Sequence, residues 1–360
     1  MDPNQAQPGS AASTDAQARH AAVHSIDHYA LTVPDIAVAR QFFTAFGLDV
    51  SDTAGGLELR AADGHRWARI LPGARKALAY LSFNCHAADL ERMRAQLAAA
   101  GARQADGNML AQHGAGADAG IHDKVDASNV NVGAGGDTGA GIPGHDEGIW
   151  FFDPDGNLLQ VKPGSKTMPD TKSPLDDIHV PADARGARCR SLLRQVRPRR
   201  LSHVLLFTPD VPRAMRFYQD ALGLRLSDCS ADIIAFMHAP HGCDHHLVAF
   251  AKSPARGWHH ASWDVASVDE VGQGASQMAA AGYKKGWGTG RHVLGSNFFH
   301  YVLDPWGSFC EYSADIDYIS AGSNWPAGDY PPEDSLYQWG PDVPPYFIHN
   351  TEAGTESAHE

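Results

Sequence analysis

One pattern occurs twice along this chain of 360 residues, and a repeat of such long period constrains the fold more than any other feature of it. His28-Tyr29-Ala30-Leu31-Thr32-Val33 alternates as a strand does; Pro34-Asp35 follows, then a helical stretch, Ile36–Phe46, with Asp35 placed to cap it and Gly47 to end it. The order returns at residue 203. His203-Val204-Leu205-Leu206-Phe207-Thr208 reads as a strand, Pro209-Asp210 follows, and a helix spans Val211–Leu222 before Gly223. Each helix carries an aromatic pair, Phe42-Phe43 or Phe217-Tyr218, and each is followed by Gly-Leu. The ends of the two halves also match. Asp153-Pro154-Asp155-Gly156 and Asp304-Pro305-Trp306-Gly307 each sit between strand-like runs, a hairpin signal. In the middle, Tyr80-Leu81-Ser82-Phe83-Asn84 aligns with His260-Ala261-Ser262-Trp263-Asp264, each before a helix (88–100 and 268–281) that ends at a glycine.

The alignment puts His28 with His203, Tyr80 with His260, and Gln160 with Glu311. The second half therefore carries His, His and Glu where the first carries His, Tyr and Gln. Neutral Tyr and Gln are poor ligands for a divalent cation, so if a metal binds, it binds in the second half. Two histidines and one carboxylate on three strands, with other coordination positions open, is the facial-triad pattern of non-haem Fe(II) oxygenases. A further set lies nearby: His246 at the end of Cys243-Asp244-His245-His246, His292 in Gly290-Arg291-His292, and Tyr301 in Phe298-Phe299-His300-Tyr301. Taken singly, each has a plainer reading: Tyr301 as a strand core residue, His292 as a loop residue.

Between its second and third aligned positions the first half runs 80 residues against 51 in the second. The excess falls in a Gly-rich insert, 105–145, read as a mobile surface loop. Residues 1–22 are small and polar and read as disordered, not as a secretory signal. The expected organisation is a first domain at 23–165, an Arg-rich linker at 166–200, a catalytic domain at 201–318, and a tail at 319–360 that serves as a lid or a subunit contact.

Charge and cysteine use exclude several function classes. The formal net charge is −13, which argues against a nucleic-acid or anionic-membrane partner, since both need clustered positive charge. No apolar run approaches the roughly 20 residues that cross a bilayer. Five scattered cysteines without a C-x-x-C pair read as reduced thiols of a cytoplasmic protein.

At the level of motifs the second half resembles the catalytic domain of type I extradiol catechol dioxygenases, of the vicinal oxygen chelate superfamily. The resemblance rests on His203, on His246 and His260 with 13 residues between them, on His259-His260-Ala261-Ser262-Trp263, and on Gly290-Arg291-His292 with Tyr301 and Glu311 at +9 and +19. It implies an α+β fold of two domains, each a pair of βαβββ modules forming a cup, as in glyoxalase-like proteins. It implies that His203, His260 and Glu311 ligate Fe(II), or Mn(II) in some relatives. It makes His246 the acid/base group and Tyr301 and His292 contacts to the substrate oxygens. The implied reactants are a small aromatic diol and O2, with both oxygen atoms entering the ring-opened product, and the implied assembly is a homo-oligomer. In the branch that cleaves homoprotocatechuate, a basic residue five positions before the equivalent of His292 helps hold the substrate carboxylate. Here that position is Trp287, which favours an apolar or aryl substituent. The rival readings are a 4-hydroxyphenylpyruvate-dioxygenase-like enzyme, a glyoxalase-type lyase or isomerase, and a non-catalytic ligand-binding member of the superfamily. The second carboxylate that a lyase of this type uses has no candidate in 247–250.

Overall fold

The computed structural model describes residues 20–106, 148–176 and 179–354. Residues 107–145 of the Gly-rich insert and most of the segment 1–22 lie outside the described residues. The chain forms four βαβββ units in sequence. The first is β1 (Val23–Val33), α1 (Ile36–Phe46), β2 (Asp49–Thr53), β3 (Gly56–Arg60) and β4 (Arg66–Pro72). The second is β5 (Ala77–Cys85), α2 (Leu90–Ala99), β6 (Arg103–Gln104), β7 (Ile149–Phe152) and β8 (Leu158–Pro163). The third is β9 (Arg200–Thr208), α3 (Val211–Leu222), β10 (Arg225–Ser230), β11 (Ile234–His238), the short β12 (Cys243–Asp244) and β13 (Val248–Lys252). The fourth is β14 (Gly257–Asp264), α4 (Val268–Ala280), β15 (Gly286–His292), β16 (Phe298–Leu303) and β17 (Phe309–Ala314). After them come β18 (Tyr318–Ile319), β19 (Gly328–Asp329), α5 (Pro332–Ser335) and β20 (Tyr337–Trp339).

In every unit the first and last long strands are parallel neighbours: β1 with β4, β5 with β8, β9 with β13, β14 with β17. Two units join through their antiparallel first strands, β1 with β5 and β9 with β14. The result is an eight-stranded and a ten-stranded sheet, the paired-module α+β architecture expected above.

Local chemistry accounts for the element ends. The Asp35 carboxylate accepts from Val38 N at 3.0 Å and that of Asp210 from Arg213 N at 3.0 Å, capping α1 and α3. Gly47 and Gly223 close these helices at φ 99 and 67, a left-handed conformation that favours glycine. Both Asp-Pro turns are held alike: the Asp153 carboxylate accepts from Asp155 and Asn157 N–H, and that of Asp304 from Trp306 and Ser308 N–H.

The core runs through both halves. Phe46 of α1 stacks on Tyr312 of β17 with centroids 4.0 Å apart, and the Tyr312 hydroxyl donates to Phe46 O at 2.7 Å. Tyr29 of β1 packs on Trp258 of β14 at 4.7 Å. With both faces covered, all 11 residues of β1 are buried, so the alternation read from its sequence does not appear as alternating burial.

Parts of the three flanking segments pack onto the two sheets. Ala21 and Ala22 are buried against the core. Arg199 and Arg200, placed in the linker by sequence, sit at β9: Arg200 grips Asp244 through two bonds of 2.8 and 2.9 Å, and Arg199 grips Asp264 at 2.8 and 3.0 Å. The tail adds β19 beside β10 and β20 beside β15. Among the described residues no helix is long and apolar enough to cross a membrane.

Burial of imidazoles sets the acid limb of stability. Burial pushes His24, His238 and His300 each down to about 4. Each stays neutral in the fold while the unfolded chain takes up a proton near pH 6.5, so stability falls as pH drops from about 6.5 towards 4. Burial raises Asp153 to about 6, which acts in the opposite sense over part of that window. His28 and His259 are lowered likewise and Asp63 and Asp264 are raised, and the histidines outnumber the carboxyls, so the expected Tm falls by several degrees between pH 7 and 5. A Tm that is flat or rising on acidification, by differential scanning calorimetry, contradicts this.

Candidate active site

β9, β14 and β17 lie side by side at the centre of the ten-stranded sheet, and each sends one polar side chain to a common point. His203, His260 and Glu311 are 3, 2 and 0 % exposed, and one ligand atom from each lies within 4.8 Å of the others. His203 Nε2 is 3.5 Å and His260 Nε2 3.7 Å from Glu311 Oε2. His260 Nε2 and Glu311 Oε2 are buried without a hydrogen-bond partner. Buried polar atoms are rarely left unpaired, and two aimed at each other across such a gap fit a bound cation.

The outward atoms of the three groups are tied down. His259 Nε2–H donates to Phe347 O at 2.8 Å, which leaves His259 Nδ1 bare to accept from His260 Nδ1–H at 2.6 Å. His260 Nε2 is then the bare nitrogen that a metal requires. His203 Nδ1 meets Ser202 Oγ at 3.2 Å, and Asn297 Nδ2–H donates to Glu311 Oε1 at 3.0 Å. Burial pushes the Glu311 carboxyl upward, but the neighbouring His203 outweighs this and holds it below its ordinary value. Burial keeps His260 far below its ordinary value, hence neutral and ligand-competent.

The second polar set lines the same cavity. The His246 ring lies 3.9 Å from that of His203, and Tyr301 lies 5.1 Å from His260. His292 Nδ1–H donates to Leu336 O at 2.7 Å, so its bare Nε2 accepts from the Tyr301 hydroxyl at 3.0 Å. All six residues singled out by sequence thus meet in one place.

The first half repeats the register and not the chemistry. Ser82 pairs with His28 and Gln160, as Ser262 pairs with His203 and Glu311. There, however, Tyr80 OH meets His28 Nε2 at 2.9 Å and Ser82 Oγ donates to Gln160 Oε1 at 2.7 Å. The protein's own groups fill the place where the second half leaves atoms unpaired.

A family model described as the Glyoxalase/Bleomycin resistance protein/Dioxygenase superfamily matches residues 25–161 and 200–312. The chain is 60% identical over 338 residues to Metapyrocatechase 2 of Cupriavidus necator, covering 94% of this chain and 95% of that protein. This chain belongs to the extradiol dioxygenases of that superfamily. Biphenyl-2,3-diol 1,2-dioxygenase of Paraburkholderia xenovorans strain LB400 is 26% identical over 301 residues, 81% of this chain and 87% of its own. In fold, the structure of an extradiol ring-cleaving dioxygenase from Brevibacterium fuscum superposes with a TM-score of 0.65 at 20% identity, over 92% of this chain and 84% of that one.

The cavity of this dioxygenase has apolar walls away from the polar cluster: Phe207, Ile233, Ile234, Phe236, Leu294 and Ile348. Among the described residues, Lys252 is the sole Lys or Arg lining it, and its ammonium pairs with Asp232. Trp287 is not on the wall. It stacks behind Tyr301 with its indole N–H donating to Pro341 O at 2.8 Å. Arg291 turns away, its guanidinium over the Phe298 ring at 4.5 Å. Sequence reasoning missed Asn297, and it missed the carbonyls of Leu336 and Phe347. The histidine doublets 245–246 and 259–260 were the available signal for what stands behind the site; a backbone carbonyl leaves no signal at all.

Proposed function

We propose that this dioxygenase opens the ring of a catechol carrying an apolar substituent, with Fe(II), or alternatively Mn(II), held by His203, His260 and Glu311. The observation that carries the reading is the pair of unpartnered buried atoms, His260 Nε2 and Glu311 Oε2, at the polar end of an otherwise apolar cavity. When bound, the metal supplies positive charge that acidifies the diol hydroxyls, and open positions that bring diol and O2 together. The side chains do the rest. His246, beside His203, accepts a proton from the diol and later returns it, as suits an imidazole. Tyr301, braced by His292 and by Trp287 behind it, hydrogen-bonds a substrate oxygen. The apolar walls shed water and receive the ring substituent. With Lys252 engaged by Asp232 and Arg291 turned away, a substrate carboxylate meets no free cation among the described residues of the wall. The five unpaired thiols fit a reducing cytoplasm, and a homo-oligomer is part of the same reading.

The test is reconstitution. Metal-stripped protein is loaded with Fe(II) or Mn(II) without oxygen, then given air and a set of catechols. Expected are yellow ring-opened products, with kcat/KM at least tenfold higher for methyl-, chloro- or phenyl-substituted catechols than for carboxylated ones. Absence of ring opening with every diol and both metals overturns the activity; preference for a carboxylated diol overturns the substrate class.

A further inference from the structure

His246 acts through one ring nitrogen, and the fold specifies what holds the other. His246 Nδ1 lies 3.1 Å from His245 Nδ1, and His245 Nε2 lies 2.7 Å from Asp228 Oδ2. Asp228, His245 and His246 are 4, 0 and 3 % exposed, so no solvent competes for these bonds. A carboxylate only accepts, so His245 carries its proton on Nε2 and leaves Nδ1 bare. That bare nitrogen must accept, which places the His246 proton on Nδ1 and leaves His246 Nε2 free as a base. The chain has a fixed anchor. Asp228 Oδ1 accepts from Gly328 N at 2.8 Å, where β19 of the tail runs parallel to β10. The rings of Phe236 and Trp325 contact His245 at 5.8 and 5.6 Å and confine it.

We infer that Asp228 and His245 are positioning residues for the ring-cleavage reaction: together they set the tautomer and the orientation of His246 so that a bare nitrogen is available to take the diol proton. The inference rests on the base role given to His246 above. A base oriented by a second group and a third behind it is the general logic of activated catalytic histidines.

Asp228→Asn is the sharp probe because its shape is nearly unchanged. Gly328 N–H must meet an acceptor, so the amide oxygen turns there and the amide NH2 faces His245. His245 then holds its proton on Nδ1, and His246 is driven to the Nε2–H form, which cannot accept. The expected result is a kcat 10- to 100-fold lower, with metal content and substrate KM within twofold of the parent. His245→Phe, which breaks the chain, gives a similar loss. His245→Gln keeps an acceptor towards His246 and a donor towards Asp228, and it recovers at least tenfold of what His245→Phe loses. Placed on a His246→Phe background, Asp228→Asn causes no further loss, because the residues act as one unit. A merely structural role predicts the opposite: additive losses, reduced metal content and no rescue by Gln. If His246→Phe abolishes turnover while Asp228→Asn and His245→Phe stay within threefold of the parent, the positioning role is overturned and the base role stands. If His246→Phe itself turns over normally, the base role fails, and this inference with it.

Discussion

Glu311→Ala binds no stoichiometric metal and shows no ring cleavage above background. Glu311 is the one anionic group of the cluster, fully buried, and the carboxylate oxygen nearest both imidazoles has no other partner. Two imidazoles without a carboxylate hold a divalent ion poorly. The stability readout is more telling than the activity. In the metal-free protein Glu311 keeps the bond from Asn297 and the favourable neighbourhood of His203, so removing it costs the apo fold some stability, and the deciding quantity is the response to added metal. Metal that binds only the folded state raises the parent Tm by mass action and leaves that of the variant where it was. Metal content by emission spectroscopy together with thermal melts with and without added Fe(II) or Mn(II) checks both halves. Stoichiometric metal in Glu311→Ala removes the proposed ligand set.

His246→Phe lowers kcat by about 10²- to 10⁴-fold while metal content stays at the parent level, the usual range for loss of a positioned acid/base group. Phenylalanine keeps the ring, and so keeps the packing of His246 on His203 at 3.9 Å and on Phe236 at 4.8 Å. What it removes is both nitrogens, the one proposed to act on the diol and the one bonded to His245. Steady-state turnover paired with metal analysis separates the two effects, and equal loss of metal and activity means that His246 supports the ligands and not the proton transfer.

Much of this was legible in the order of residues, for stated physical reasons. Asp35 and Asp210 announce helix starts because a short carboxylate satisfies N–H groups that the helix cannot. Asp153 and Asp304 announce hairpins for a related reason, since each carboxylate folds back on the turn that follows it. The duplicated pattern let the two halves calibrate each other: His260 and Glu311 marked the half where two histidines and a carboxylate meet, Tyr80 and Gln160 the half where the protein's own groups bond to one another. Other features were not legible. Every residue of β1 is buried, because Ala30 packs with Tyr80 and Trp150 of its own half while Tyr29 and Leu31 lie in the core shared with the other half, and strand alternation carries no information about that.

The repeat and the residue types gathered at the cluster can be read in the order of residues, because these depend on local spacing and on the chemistry of single side chains; the paired modules came from the resemblance. Which nitrogen of each imidazole is bare depends on the folded chain. That choice lies with partners far along the chain: Phe347 O behind His259 and His260, Leu336 O behind His292, and Asp228, itself held by Gly328, behind His245 and His246. A histidine can carry its proton on either nitrogen at little cost in water, so the ring is committed to one form only when folding buries it beside a group that can only accept.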